Sequence, residues 1–104
     1  NKDVPFKCGE CDDAVIVEDC PSACAVSNIL TGIAIMGTKL KSIQKSHLKP
    51  YQNLYICLDR DATTKAYDMA KDLRSSGFEN VIVKPLEDDL KYFNTEQVRE
   101  IFYG

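Results

Sequence analysis

Leu54-Tyr-Ile-Cys-Leu-Asp-Arg-Asp61 is an apolar run that stops abruptly at two acids one residue apart. Its length and its β-branched and aromatic content suit a buried strand. Alternate residues of extended backbone point to one face, so Asp59 and Asp61 can present both carboxylates at one spot just past the strand's end. That is a seat for a divalent cation. Equally, Asp61 stands before Ala62-Thr63-Thr64 and can cap the next helix. The choice turns on whether the remaining chain brings further acids and a partner charge to the same place.

Working outward, residues 14–17 (Ala-Val-Ile-Val) form a second short apolar strand, and it too ends at acids, Glu18-Asp19. Pro21 and Ser22 open a helix with Ala23, Val26, Ile29 and Leu30 on one stripe, closed by Thr31-Gly32. Residues 33–36 are a strand that runs into Gly37-Thr38, a tight turn whose free backbone amides can meet an anion. A helix over 39–47 follows, with Leu40, Ile43 and Leu48 inward and its lysines mostly outward, and Pro50 breaks it. Beyond the strand at 54–58, residues 62–75 read as a helix with Ala66, Met69, Ala70 and Leu73 on its buried face and Gly77 as its stop. Residues 81–83 are a further strand, Glu87-Asp88-Asp89 a third acidic cluster, and 96–102 a last helix. Residues 1–13 show no periodicity and read as a lead-in to a single domain over 14–104.

Strands and helices thus alternate, the strands are apolar throughout, and the connections are long enough for crossovers. The expectation is an α/β, Rossmann-like fold: a four-stranded parallel sheet with helices on both faces. In such sheets ligands bind beyond the carboxyl ends of the strands. Here Glu18, Gly37-Thr38, Asp59 with Asp61, and Asp88-Asp89 all follow strand ends.

At 104 residues the chain can hold one core without metal or disulfides. Its 44% hydrophobic and 28% charged residues exclude the disordered and fibrous classes. Its longest apolar stretches are far too short to span a membrane, so no membrane partner is expected. No leader is visible, although the chain begins at Asn1 and can be a processed or excised piece. The net charge of −3 conceals an uneven distribution. No acid occurs between Cys20 and Leu58, where Lys39, Lys41, Lys45 and Lys49 all lie. A basic element beside acid clusters suits a site that handles metal and phosphate together, and it also suits a solvated helix face.

Five cysteines, an odd number, argue against a complete disulfide framework, and a reducing, cytoplasmic setting is the default. Cys57 reads as a small buried hydrophobe. Cys8 and Cys11 have the spacing of half a zinc site that Cys20 and Cys24 could complete. Because those two fall at a helix start and no second Cys-x-x-Cys exists, zinc is not expected at Cys8 and Cys11. Tyr51 and Tyr55 can stack on bases or simply pack in the core, and His47, lacking a second histidine, reads as a surface residue.

Four pieces together resemble a Toprim domain, the catalytic module of bacterial-type DNA primases, topoisomerases and some nucleases. They are Val15-Ile-Val-Glu18, Ile35-Met-Gly-Thr38, Ile56-Cys-Leu-Asp-Arg-Asp61 and Lys84-Pro-Leu-Glu-Asp-Asp89, in the family's order and near its spacing, covering residues 13–102. Residues 38–44 and 61–66 look most like the primase branch, particularly the primases and primase-helicases of bacteriophages. Two features depart from that pattern. Ser22 stands where the family's primases carry a second acid four residues after the glutamate, with Asp19 as a conceivable substitute. Thr63 and Thr64 stand where Ala-Gly is frequent.

The resemblance implies Mg²⁺-dependent nucleotidyl transfer, the making of RNA primers on single-stranded DNA, with Mn²⁺ as a possible replacement ion. Asp59 and Asp61 would be the main ligands, Asp89 a further one and Asp88 its fallback; a hard ion held by a few carboxylates, waters and phosphates fits such a set. Glu18 would be the general base, or a second metal ligand. Gly37, Thr38, Lys39, Lys41 and Lys45 would contact nucleotide or nucleic-acid phosphates. The expected partners are template, nucleotides, and a helicase or zinc-binding primase module on another chain or segment. A nuclease using the same acids and a non-catalytic nucleic-acid-binding accessory are the alternatives. The protein would work in the cytoplasm, the host's if it is phage-encoded.

Overall fold

A computed structural model describes residues 5–35, 42–58, 60–85 and 90–104 of the chain. Its frame is a sheet of five strands: β1 (Phe6–Cys8), β2 (Ala14–Val17), β3 (Thr31–Ala34), β4 (Leu54–Ile56) and β5 (Val81–Val83), in the spatial order β1-β3-β2-β4-β5. β3, β2, β4 and β5 run parallel, with Ala14 level with Thr31 on one side and Leu54 on the other, and Leu54 level with Val81. β1 is antiparallel to β3, with Phe6 opposite Ala34 and Cys8 opposite Gly32. The sheet is therefore mixed and five-stranded, not four-stranded and wholly parallel, and the lead-in supplies the extra edge. An edge strand needs cover on fewer sides than a central one, so Phe6-Lys7-Cys8 carries little of the apolar patterning by which strands are recognised.

Every residue of β2, β3 and β4 is buried, as strands enclosed by helices on two faces must be. Alternation sends Ala14, Ile16, Ile33, Leu54 and Ile56 to one face, where α3 (Thr63–Ser75) lays Ala66, Met69, Ala70 and Leu73 and the end of α2 (Ser42–Ser46) adds Leu48. Val15, Val17, Ala34 and Tyr55 face the other way, against Ala23 and Val26 from α1 (Cys20–Ala25) and its end, and Val98 and Phe102 of α4 (Thr95–Tyr103). Two cores thus sandwich one sheet.

Two local readings change. Thr31-Gly32 does not end the first helix; α1 is a single long turn that stops at Ala25, and Thr31 and Gly32 begin β3. Thr31 is drawn into the sheet by its hydroxyl, which donates to the Cys11 carbonyl at 3.0 Å and accepts from the Cys11 amide at 2.8 Å. On α2 the inward residue is Gln44, 5% exposed, while Ile43 is 50% exposed, so the apolar stripe is rotated from the one the pattern suggested; Leu40 lies outside the described residues. At the end of α3, Gly77 takes φ +103°, the left-handed conformation that favours glycine, and the Phe78 amide turns back to the Leu73 carbonyl. α4 starts in a reciprocal cap, the Asn94 carboxamide accepting from the Gln97 amide and the Gln97 side chain accepting from the Asn94 amide, each at 2.9 Å.

Candidate functional site

The parallel strands deliver their following residues to one edge of the sheet. β2 is central, flanked by β3 and β4, and Glu18 is the first residue past its end. The Ile35 amide still bonds to the Val17 carbonyl at 3.1 Å, so the ladder is intact up to Glu18. Glu18 is half-buried, and its Oε1 is sealed from solvent without a hydrogen-bond partner among the described residues. A buried polar atom left unsatisfied typically costs about 1–3 kcal/mol. A protein that keeps such an atom at a strand-end rim holds an acceptor for which the described residues supply no donor.

Asp61 leaves the adjacent strand. It sits, exposed, in a 3₁₀ turn (Arg60–Ala62) between β4 and α3. The residue at the cap position of α3 is Ala62, and no side chain caps that helix. Among the described residues the capping role open to Asp61 in the sequence is therefore not taken up, and Asp61 is exposed. Glu18 and Asp61 thus stand beyond the carboxyl ends of neighbouring parallel strands, the position at which open α/β sheets bind ligands.

The remaining expected ligands, Asp59, Asp88 and Asp89, and the phosphate candidates Gly37, Thr38, Lys39 and Lys41, lie outside the described residues. Among the described residues no three His, Cys, Asp or Glu side chains gather closely enough to hold a metal ion. A hard cation nevertheless suits the donors that are described, because carboxylate oxygens at a strand-end rim, one of them without a hydrogen-bond partner among the described residues, are the chemistry it seeks. Lys45 is placed elsewhere. Its ammonium meets the Asp72 carboxylate of α3 at 2.8 Å and donates to Ser76 Oγ at 3.3 Å, pinning α2 against the far half of that helix.

Asp19, the residue after Glu18, is engaged by the helix that follows. The Asp19 carboxylate accepts from the Ser22 amide at 2.9 Å and caps α1, which holds it at the start of that helix. Ser22 itself is 7% exposed. The two tyrosines pack. Tyr55 is buried edge-on to Phe102, ring centres 5.1 Å apart, and Tyr51 lies half-buried against the α3-side core with the Lys7 ammonium 5.6 Å from its ring centre. His47 is half-buried in the turn after α2.

At the opposite end of the sheet a polar clamp fixes the frame. The Asp13 carboxylate accepts from the Tyr103 hydroxyl at 2.7 Å and from the Asn53 carboxamide at 2.9 Å, tying α4 to the starts of β2 and β4. Desolvation, with the Asp13 carboxylate close by, raises the Tyr103 phenol well above its ordinary range. The cysteines divide rather than converge on one centre. Cys8 is hydrogen-bonded to Cys24, with Cys20 nearby, whereas Cys11 lies toward Tyr103. Pairing Cys8 with Cys11 by spacing missed that contact, because it depends on β1 joining the sheet. The i, i+4 spacing of Cys20 and Cys24 on a helix was the one signal of it in the sequence.

The chain matches no protein-family model, no curated protein and no solved structure.

Proposed function

We propose that this chain is a Toprim-type catalytic domain that carries out Mg²⁺-dependent nucleotidyl transfer on nucleic acid, as the catalytic part of a phage-type DNA primase. The observation that carries the reading is Glu18 Oε1, buried at the end of the central strand with no hydrogen-bond partner among the described residues. It supports a reading in which that carboxylate meets a substrate hydroxyl or a cation. The four motifs in register, with Asp61 uncapping and exposed on the next strand, add to it.

In this reading Asp61, Asp59 and Asp89, or Asp88 in its place, hold Mg²⁺. The ion would offset charge on the nucleotide phosphates and on the attacking and leaving oxygens. Glu18 accepts the proton of the attacking 3′-hydroxyl, and the enclosure of its Oε1 keeps bulk water from competing for that position. Gly37, Thr38, Lys39 and Lys41 hold phosphates. Lys45, being engaged by Asp72, is left out of that set. Template binding and strand opening fall to a zinc-binding primase module or a helicase.

The test is incorporation of ribonucleotides on a single-stranded template with Mg²⁺ or Mn²⁺, with the partner modules added in trans. Asp59→Ala abolishes product and Glu18→Gln lowers it by at least 100-fold. Nicking of plasmid without nucleotides would select the nuclease instead. A second reading, a metal-dependent accessory that binds nucleic acid without catalysis, is favoured by the buried Ser22 and by Asp19's commitment to the helix cap. It predicts metal-stimulated binding with neither activity.

A further inference from the structure

Cys8 closes β1 directly opposite Gly32 of β3. Over that same point α1 lies so close that a Cβ added to Gly32 would come within 2.1 Å of the Ala23 carbonyl oxygen and 2.5 Å of the Ala23 Cα. The glycine thus lets a helix settle onto the strand one position away from Cys8. Cys24 is the next residue after Ala23, and Cys20 sits one helical turn earlier on the same side of α1. Three thiols are thereby gathered where the edge strand, β3 and the first helix meet, all of them unbridged: Cys24 exposed, Cys8 and Cys20 half-buried against the core.

We propose that Cys8 and Cys24 form a reversible disulfide that bolts the edge strand β1 to α1, closed by exchange with a small disulfide of the glutathione class. The proposal is independent of the function put forward above. The exposed Cys24 thiolate attacks the small disulfide, forming a mixed disulfide and expelling one small thiolate, which takes up a proton. The Cys8 sulfur, having given up its own proton, attacks the Cys24 sulfur of that mixed disulfide and expels the second small thiolate. Two electrons pass from the protein sulfurs to the reagent, and two small thiols leave.

Hydrogen bonding to Cys8 comes first among the causes that raise the Cys24 thiol above its ordinary value, followed by desolvation and the neighbouring Cys8 and Cys20 groups. The Cys24 thiol is therefore held in its protonated form near neutrality, and closure accelerates as pH rises. The bond would enclose residues 8–24, a loop that contains all of β2 and Glu18. Since a cross-link removes freedom from the unfolded chain, oxidation raises the melting temperature by on the order of 10 °C.

The experiment treats the purified full chain with oxidised glutathione at pH 8, blocks remaining thiols by alkylation, and maps the products by mass spectrometry. A protease cutting after glutamate separates Cys8, Cys11 and the fragment carrying Cys20, Cys24 and Cys57; fragmentation in the spectrometer places the link within it, and running Cys20→Ser in parallel leaves Cys24 as the single α1 thiol. The expected result is a 2 Da loss with Cys8 linked to Cys24 in both proteins, three thiols alkylated in the native chain, the melting rise, and reversal by dithiothreitol. Cys8→Ser and Cys24→Ser, by contrast, stop short of that link. The proposal is overturned if all five thiols are alkylated, if Cys24 halts as a glutathione adduct, if the link joins Cys8 to Cys11 or Cys20 to Cys24, or if the reduced chain retains stoichiometric Zn²⁺ that blocks closure.

Discussion

Replacing Gly32 by alanine tests the packing that the candidate rim depends on. The new methyl would stand 2.1 Å from the Ala23 carbonyl oxygen, 2.5 Å from its Cα and 2.6 Å from its carbonyl carbon, all backbone atoms that cannot swing aside. Ordinary contact begins near 3.4 Å, so α1 and β3 would have to part by the difference from 2.1 Å, about 1.3 Å. A gap of 0.5–1 Å already forfeits roughly a quarter to a half of the attraction between packed atoms. The residues that lose it, Ala23, Val26 and Leu30, are all 0% exposed. Burying a large aliphatic side chain contributes about 1.5–3 kcal/mol, so partial loss at three positions, added to the strain of overpacking, comes to about 3–4 kcal/mol. A domain of this size typically has only about 5–15 kcal/mol in total.

Urea unfolding followed by far-ultraviolet circular dichroism measures this, and Gly77→Ala provides the control. Gly77 has φ +103° and nothing within 4 Å of its would-be Cβ, so that substitution costs only backbone strain, about 1 kcal/mol. Gly32→Ala should exceed it by about 2 kcal/mol or more. Equal losses, or a Gly32→Ala loss below about 1 kcal/mol, would show that α1 does not lie against β3 as described and would remove the physical basis for Glu18's placement.

Glu18→Ala deletes an oxygen with no partner among the described residues, so folding stability should hold or rise by up to about 1 kcal/mol while, under the proposed function, nucleotidyl transfer collapses; a clear destabilisation in the same urea assay would mean that Glu18 serves the fold. The Tyr103 phenol is held protonated in the folded state, so its contribution is complete below its unfolded pKa of about 10 and is lost as pH climbs toward the raised folded value. Tyr103→Phe should therefore be less stable than the native chain at pH 8 and lose less between pH 9 and 11, and parallel losses would refute the clamp. A double-mutant cycle on Lys45 and Asp72 should give a coupling below about 1 kcal/mol that shrinks with salt, as suits a pair whose acid is 50% exposed. If Lys45→Ala instead weakens binding of nucleic acid more than it changes stability, the lysine serves phosphate after all.

The central strands were legible because a strand covered on both faces must be apolar at every position, and Ala14–Val17 and Leu54–Ile56 have no other reading. α3 was legible because Ala66, Met69, Ala70 and Leu73 repeat at helical spacing over thirteen residues. β1 was not, since three edge residues, two of them exposed, leave no pattern to read. Thr31-Gly32 misled for a related reason: a polar residue and a glycine ordinarily mark a boundary, yet here the hydroxyl is satisfied by Cys11 and the missing side chain admits α1. Of the site, the strand-end position of Glu18 followed from pattern alone, whereas the lack of a partner for its Oε1 among the described residues did not. Nor could the engagement of Lys45, whose partner lies on a later helix that only the folded chain brings near.

The acids following β2 show how a short helix limits what a rim can hold. α1 spans only Cys20–Ala25, so it has few internal hydrogen bonds and depends heavily on its cap. Asp19 provides that cap, and Pro21 in the first turn removes an amide that would otherwise need a partner. Ser22, whose amide Asp19 holds, is turned inward beneath the helix. The segment therefore spends one acid on starting the helix and has one left, Glu18, to offer at the sheet's edge. Under the proposed function this strand contributes a single carboxylate, so any further metal ligand has to come from the segments after β4 and β5. Asp19→Ser keeps a capping side chain and removes the charge. If its transfer activity equals that of the native chain while Glu18→Gln loses at least 100-fold, the acids divide their tasks as the hydrogen bonds indicate; comparable losses from both would return Asp19 to the site.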